Sequence, residues 1–147
     1  MDWIIEPFFN SSLNKHVGGL AISNIKYCEN AEKMEKDQIS AVISVCGDKL
    51  VMNVTVKHLW IVVSDHPRED ISVFFPSTFT FIDQHIQEGN VLVHCQAGIS
   101  RSSSIVIAYL IRKNKINFDA SFQIVKDKRP YIFPNKGFIK QLKRFSE

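Results

Sequence analysis

The stretch from Val91 to Ser103, VLVHCQAGISRSS, constrains this chain more than any other part of it. An apolar run of strand type delivers Cys95 into a glycine-containing turn. Five residues separate the cysteine from Arg101, and a long apolar helix begins at once. Cys95 and Arg101 therefore sit at opposite ends of a tight loop that opens a helix. The backbone N–H groups of such a loop turn inward, and helix N-termini attract anions. The same dipole, with a guanidinium nearby, favours a thiolate over a thiol. Arg101 can grip two oxygens of a tetrahedral oxyanion at once, which lysine does less well. The chemistry this arrangement suits is attack by sulfur on phosphorus.

The rest of the chain bounds where that chemistry would happen. With 147 residues, 45% of them hydrophobic, and six glycines and five prolines, the sequence is long enough to bury a core and reads as one globular domain over 1–147. No apolar run approaches the length of a membrane span, and the N-terminus MDWIIEP carries acids without the basic region of a secretory signal. Three cysteines without a Cys-x-x-Cys pair fit reduced thiols in a cytoplasmic or nuclear compartment. They argue against a structural zinc, and neither metal nor cofactor is expected. The net charge of +3 hides an asymmetry. Residues 1–100 hold 7 Lys and Arg against 12 Asp and Glu, whereas residues 101–147 hold 11 against 3. The basic half starts at Arg101, so anionic ligands are drawn to the side that carries the loop. Most of these lysines read as solvated helix surface. No exposed aromatic platform is interleaved with them, so no nucleic-acid partner is expected.

Periodicity supplies the order of elements. A short strand is expected over Val17–Ile25 through Gly18-Gly19, then a polar helix around Asn24–Lys36. Ile39–Val45 and Leu59–Val63 are β-rich, and Leu50–Val56 is a further candidate strand with a turn at Gly47-Asp48. Ser64–Glu69, with Pro67, is a loop. Asp70 is placed to cap a helix carrying Ile71, Phe74, Phe75, Thr78, Ile82 and Ile86, ended by Gly89. Asn90–Val93 is a buried strand and Ser102–Asn114 a helix apolar nearly all round. Further helices run from about Asn117 to Lys128 and from Asn135 onward. This is the pattern of an α/β fold with a mixed sheet.

His94-Cys95, five residues, then Arg101-Ser102 resembles the signature loop of the cysteine-dependent protein tyrosine phosphatases. The fuller text HCQAGISRS is similar to the dual-specificity branch, in its compact, atypical form. The likeness extends through Asp70-Ile71, Phe81–Asp83, Ala108–Leu110 and Arg129–Phe138, and is weakest over the first 40 residues. It implies a protein tyrosine phosphatase-like fold, with a central mixed sheet of about five strands flanked by helices. It implies removal of phosphate from phosphotyrosine and from phosphoserine or phosphothreonine of a protein substrate, without membrane attachment. The oligomeric state is left open.

The residues divide into roles on that basis. Cys95 is the expected nucleophile, its ordinary alternative being a buried apolar thiol. Arg101 clamps phosphoryl oxygens, and the N–H groups of Gln96, Ala97, Gly98, Ile99, Ser100 and Arg101 complete the cradle. Gly98 lets the backbone turn toward the ligand. The family keeps its general acid on a loop where this chain has Asp65. The competitor is Asp70, which reads as a cap. Ser102 would donate to the sulfur, and His94 would brace the loop. The resemblance gives Asn135 a supporting role beneath the loop, and a helix N-cap fits it equally. It puts Arg129 at the pocket rim as a second anion site, against the alternative of a helix C-terminal cation. Some family members carry a cysteine where Cys46 stands, paired reversibly with the nucleophile; the alternative is a buried structural thiol, as is assumed for Cys28.

Other functions are weighed against this one. A phosphoinositide phosphatase of this kind places lysines inside the loop, where this chain has Ala97 and Ile99. An RNA triphosphatase shows Asn-Arg-Thr at the loop's end, where this chain has Ser100-Arg101-Ser102. A sulfurtransferase would not call for His94 or Arg101-Ser102. A non-catalytic phosphoprotein-binding module of the same fold would not need Cys95, Arg101 and Asp65 together.

Overall fold

Alternation of side chains along the central strands sorts the interior into two layers. In β4 (Leu20–Ser23), β5 (Ile39–Cys46) and β7 (Asn90–His94), the residues Leu20, Ile22, Ala41, Ile43, Val45, Val91 and Val93 face one core. Their neighbours Ala21, Val42 and Leu92 face the other. Both faces are buried, as a parallel sheet requires. A computed structural model describes residues 1–47 and 55–147 of the chain. With β1 (Asp2–Ile5) and β6 (Lys57–Val62), these strands form a five-stranded sheet ordered β1-β4-β7-β5-β6. Only β1, on the edge, runs antiparallel to its neighbour. The expected mixed α/β sheet of about five strands is the one found.

The larger core lies under α3 (Phe75–His85), α4 (Arg101–Asn114), α5 (Phe118–Lys128) and α6 (Lys136–Phe145). Every residue from Ser102 to Ile111 of α4 is buried, which accounts for its apolar character on all sides. The smaller core is closed by α1 (Ile25–Cys28) and α2 (Ala31–Lys36). A single helix was the expectation over 24–36. Two form because Asn24 and Asn30 each cap a start, accepting from the N–H of Tyr27 and Lys33.

Three other differences have local causes. The strand expected over Val17–Ile25 is split. Val17 ends a hairpin of β2 (Phe8–Asn10) and β3 (Lys15–Val17), and β4 starts afresh after Gly18-Gly19. Asp70 does not cap α3. Its carboxylate accepts from the N–H and hydroxyl of Ser72 and opens a 3₁₀ turn over Ser72–Phe74. Pro76 lacks an N–H and fits only the first turn of an α-helix, so α3 begins at Phe75. The helix ends at His85, and the N–H groups of Glu88 and Gly89 close onto its carbonyl. The candidate strand at Leu50–Val56 lies largely outside the described residues.

Candidate active site

The loop between β7 and α4 leaves the carboxyl end of a central parallel strand, the place where open α/β sheets bind ligands. Its carbonyls are held from outside. Cys95 O accepts from His94 Nδ1 at 3.2 Å and Gln96 O from the Ile25 N–H at 3.1 Å. Gly98 O accepts from Arg129 Nε and Ile99 O from the Phe133 N–H, each at 2.9 Å. A trans peptide points its C=O and the following N–H in opposite directions. Outward carbonyls therefore turn the N–H groups of Gln96, Ala97, Ile99 and Ser100 inward. Gly98 supports this turn with φ +70°, a conformation open to glycine at little cost.

Two groups converge on the Cys95 sulfur: the Gly98 N–H donates to it, and the Ser102 hydroxyl lies within hydrogen-bond distance of it, each 3.2 Å away. Ser103 and Ser104, the next two residues of α4, turn their hydroxyls back onto Ile99 O and Ser100 O. Three consecutive buried serines thus seat the loop on the first turn of the helix. Arg101 is fixed by Nη1, which donates to Val63 O at 3.1 Å. Its Nε is buried without a hydrogen-bond partner among the described residues. A buried donor left in that condition is suited to an anion.

His94 is fully buried beneath the loop. Because a carbonyl can only accept, Nδ1 carries the proton shared with Cys95 O. Burial drives the imidazole pKa down to about 4, so the ring is neutral near pH 7 and Nε2 accepts. The donor to it is the Ser44 hydroxyl at 2.5 Å, and Ser44 Oγ lies 2.6 Å from His58 Nε2. The roles then follow in one direction: His58 donates to Ser44, Ser44 to His94, and His94 to the Cys95 carbonyl.

The loop carrying Asp65 is docked on α6. Asn135 Nδ2 donates to Asp65 Oδ1 at 2.9 Å, and Gln141 Nε2 donates to Glu69 O at 2.8 Å. Gln141 Oε1 accepts from the N–H groups of Ile71 and Ser72. Between these contacts the backbones meet. A Cβ on Gly137 would lie 1.9 Å from Pro67 O. Asn135 also caps α6 through the Phe138 N–H, and its own N–H donates to Ser100 Oγ. The side chain of Asn135 thus caps α6, while the contact with Ser100 is made by its backbone. Asp65 stands exposed on this loop, and Asp70, also exposed, accepts from Ser72.

Arg129 is not at the rim. It is 2% exposed, bound to Gly98 O and ion-paired with Asp2 Oδ2 at 2.6 Å. The Tyr131 ring covers its guanidinium, 4.5 Å from ring centre to carbon. It supports the loop of residues 96–101 through Gly98 O, and its burial is at odds with the second anion site expected at a pocket rim. Cys46 ends β5 half-buried. Burial pushes its thiol pKa up, Arg101 pulls it down and Cys95 adds to the rise, which places it within electrostatic reach of Cys95. Cys28 is buried beside Ser23, and burial pushes its pKa up to about 12. Sequence reasoning missed Asp2, Ser44, His58 and Gln141. None carries a motif, and each reaches the site only through the sheet or α6.

Comparison with known proteins accords with this geometry. The family model for the dual specificity phosphatase catalytic domain matches residues 22–147. A probable dual specificity protein phosphatase of Dictyostelium discoideum is 44% identical over 117 residues, 79% of this chain and 30% of that protein. Dual specificity protein phosphatase 1B of Arabidopsis thaliana is 36% identical over 137 residues, 88% of this chain and 78% of that protein. The crystal structure of human DUSP28 superposes with a TM-score of 0.82 at 26% identity, over 86% of this chain and 90% of that one. Several of the curated relatives are much longer, and the chain spans about a third or less of their length. The family match begins within β4 and runs to the last residue, and the protein is accordingly a member of the dual specificity phosphatase family.

Proposed function

We propose that this protein removes phosphate from phosphotyrosine and from phosphoserine or phosphothreonine of protein substrates, with residues 1–147 acting as one catalytic domain in the cytoplasm or nucleus. The observation that carries the proposal is the convergence on one sulfur. The Gly98 N–H donates to the Cys95 sulfur and the Ser102 Oγ lies 3.2 Å from it, at the base of a ring of inward N–H groups closed by Arg101. No helix among the described residues is long and apolar enough to cross a membrane.

Cys95, as thiolate, attacks phosphorus in line with the leaving oxygen. The S–P bond forms, the P–O bond breaks, and Asp65 gives its proton to the departing phenolate or alkoxide. The inward N–H groups and Arg101 bear the charge on the equatorial oxygens. Water then attacks the cysteinyl-phosphate, Asp65 takes its proton and the P–S bond breaks. The thiolate leaves toward the Ser102 hydroxyl, and inorganic phosphate is the product.

Hydrolysis of 4-nitrophenyl phosphate by wild type, Cys95→Ser and Asp65→Asn tests the scheme. Wild type turns over and Cys95→Ser does not. Asp65→Asn loses on the order of a hundredfold on poor leaving groups and much less on good ones. A folded wild type without turnover refutes the activity, and turnover surviving Cys95→Ser refutes the mechanism.

A further inference from the structure

Arg129 is almost wholly withdrawn from water, and a guanidinium in that position needs a counter-charge. Among the described residues Asp2 supplies it, with Oδ2 2.6 Å from Arg129 Nη1. The sheet delivers Asp2 there. It pairs with Ile22 across the β1–β4 ladder, one residue before Ser23, whose carbonyl lies against Gly98. A planar guanidinium gripped at Nη1 cannot swing without losing its second bond, from Nε to Gly98 O. Gly98 has no slack of its own. A Cβ there would lie 2.4 Å from Arg129 Nη2 and 2.8 Å from Ser23 O. Asp2 also lies outside the matched family region, which starts at Ile22.

We infer that Asp2 is a positioning residue for the phosphate loop: by fixing Arg129 it holds the Gly98 carbonyl outward and so aims the Ile99 N–H at the bound oxyanion. The Gly98–Ile99 peptide is one rigid plane, so a carbonyl released from Arg129 lets that N–H turn away from the ligand. The consequence for rate rests on the phosphatase reading above. The consequence for oxyanion binding does not.

Two readouts on wild type, Asp2→Asn, Asp2→Glu and Arg129→Lys decide the matter. One is steady-state hydrolysis of 4-nitrophenyl phosphate. The other is titration with inorganic tungstate, followed at the Ile99 amide by ¹H–¹⁵N NMR. Asp2→Asn is expected to lower kcat/KM about tenfold, less than the loss of a whole oxyanion donor, and to weaken tungstate binding by a similar factor. Its Ile99 amide shifts less at saturation. Asp2→Glu, which restores the charge, recovers most of both. Arg129→Lys keeps the charge but lacks the fork, and shows the same deficit as Asp2→Asn. Combining Asp2→Asn with Arg129→Lys adds little further loss, because both act through one carbonyl. A merely structural ion pair would lower thermal stability and leave tungstate affinity and the Ile99 response at wild-type values. That result in either folded single variant overturns the inference. Wild type that binds tungstate through Ile99 but hydrolyses no aryl phosphate would sink the phosphatase reading and leave this one standing.

Discussion

Asn135 touches Asp65 and the loop that follows Cys95 at the same time. Its side-chain amide lies 2.9 Å from Asp65 Oδ1, and its backbone N–H donates to Ser100 Oγ at 2.9 Å. The proposed acid and the oxyanion cradle therefore share one rigid residue at the start of α6. Asn135→Ser keeps an N-cap but removes the donor to Asp65. Its expected signature is a loss of turnover on the order of tenfold on alkyl phosphates, with little change on 4-nitrophenyl phosphate and an unchanged thermal midpoint. Asn135→Ala adds the loss of the cap, about 1 kcal/mol. A leaving-group series with parallel thermal melts separates the two effects.

Gly137 makes a sharper demand on the same loop. On propensity alone Gly137→Ala would strengthen α6 by about 1 kcal/mol. The new Cβ would instead meet Pro67 O at 1.9 Å, backbone against a helix, so the loop bearing Asp65 must move. The expectation is reduced turnover, again greatest on poor leaving groups, with stability equal to or below wild type. A more stable and fully active Gly137→Ala would show that the docking of Pro67 on α6 is immaterial.

His94 makes stability depend on pH. Its folded pKa of about 4 lies below the ordinary 6.5, because burial disfavours the imidazolium. Between those values the unfolded chain binds the proton more readily. Stability from this group is complete above pH 6.5, falls as pH drops toward 4, and is then spent, a change of about 3 kcal/mol. Urea unfolding at a series of pH values should show that slope. His94→Asn, which cannot titrate, should remove most of it.

The parts of the site legible in the sequence were those the chain makes locally. Cys95, Gly98, Arg101 and Ser102 sit within one loop and one helical turn, so spacing alone brings them together. Asn135 carried a cap signal, and the apolar run after Ser104 announced a buried helix. What escaped depends on the sheet. Asp2 and Arg129 are 127 residues apart and meet because β1 joins β4 on the edge. Ser44 reaches His94 because β5 and β7 pair in that register, and His58 arrives from β6. The β2–β3 hairpin has strands of three residues, too short for any alternation to stand out.

Withdrawal of Arg129 from the rim bears on substrate choice. A second phosphate on a peptide cannot reach a guanidinium that Asp2 and Tyr131 enclose. Arg129→Lys should therefore lower kcat/KM equally for singly and doubly phosphorylated versions of one peptide, leaving their ratio unchanged within about twofold. A selective loss on the doubly phosphorylated peptide would restore the rim role.

Cys46 is the last test, and its logic is protection rather than rate. Burial keeps its thiol protonated more strongly than an exposed one, so it is the poorer target for peroxide. If Cys95 is oxidised first to the sulfenic acid, attack by the Cys46 sulfur expels water and forms a disulfide, which thiols later reduce. Wild type treated with mild peroxide should yield a Cys46–Cys95 crosslink by mass spectrometry and regain activity with dithiothreitol. Cys46→Ser should keep its initial activity yet lose it irreversibly several-fold faster, with Cys95 found as sulfinic or sulfonic acid. Equal recovery in both proteins, with no crosslink, would mean that Cys46 is simply the half-buried end of β5.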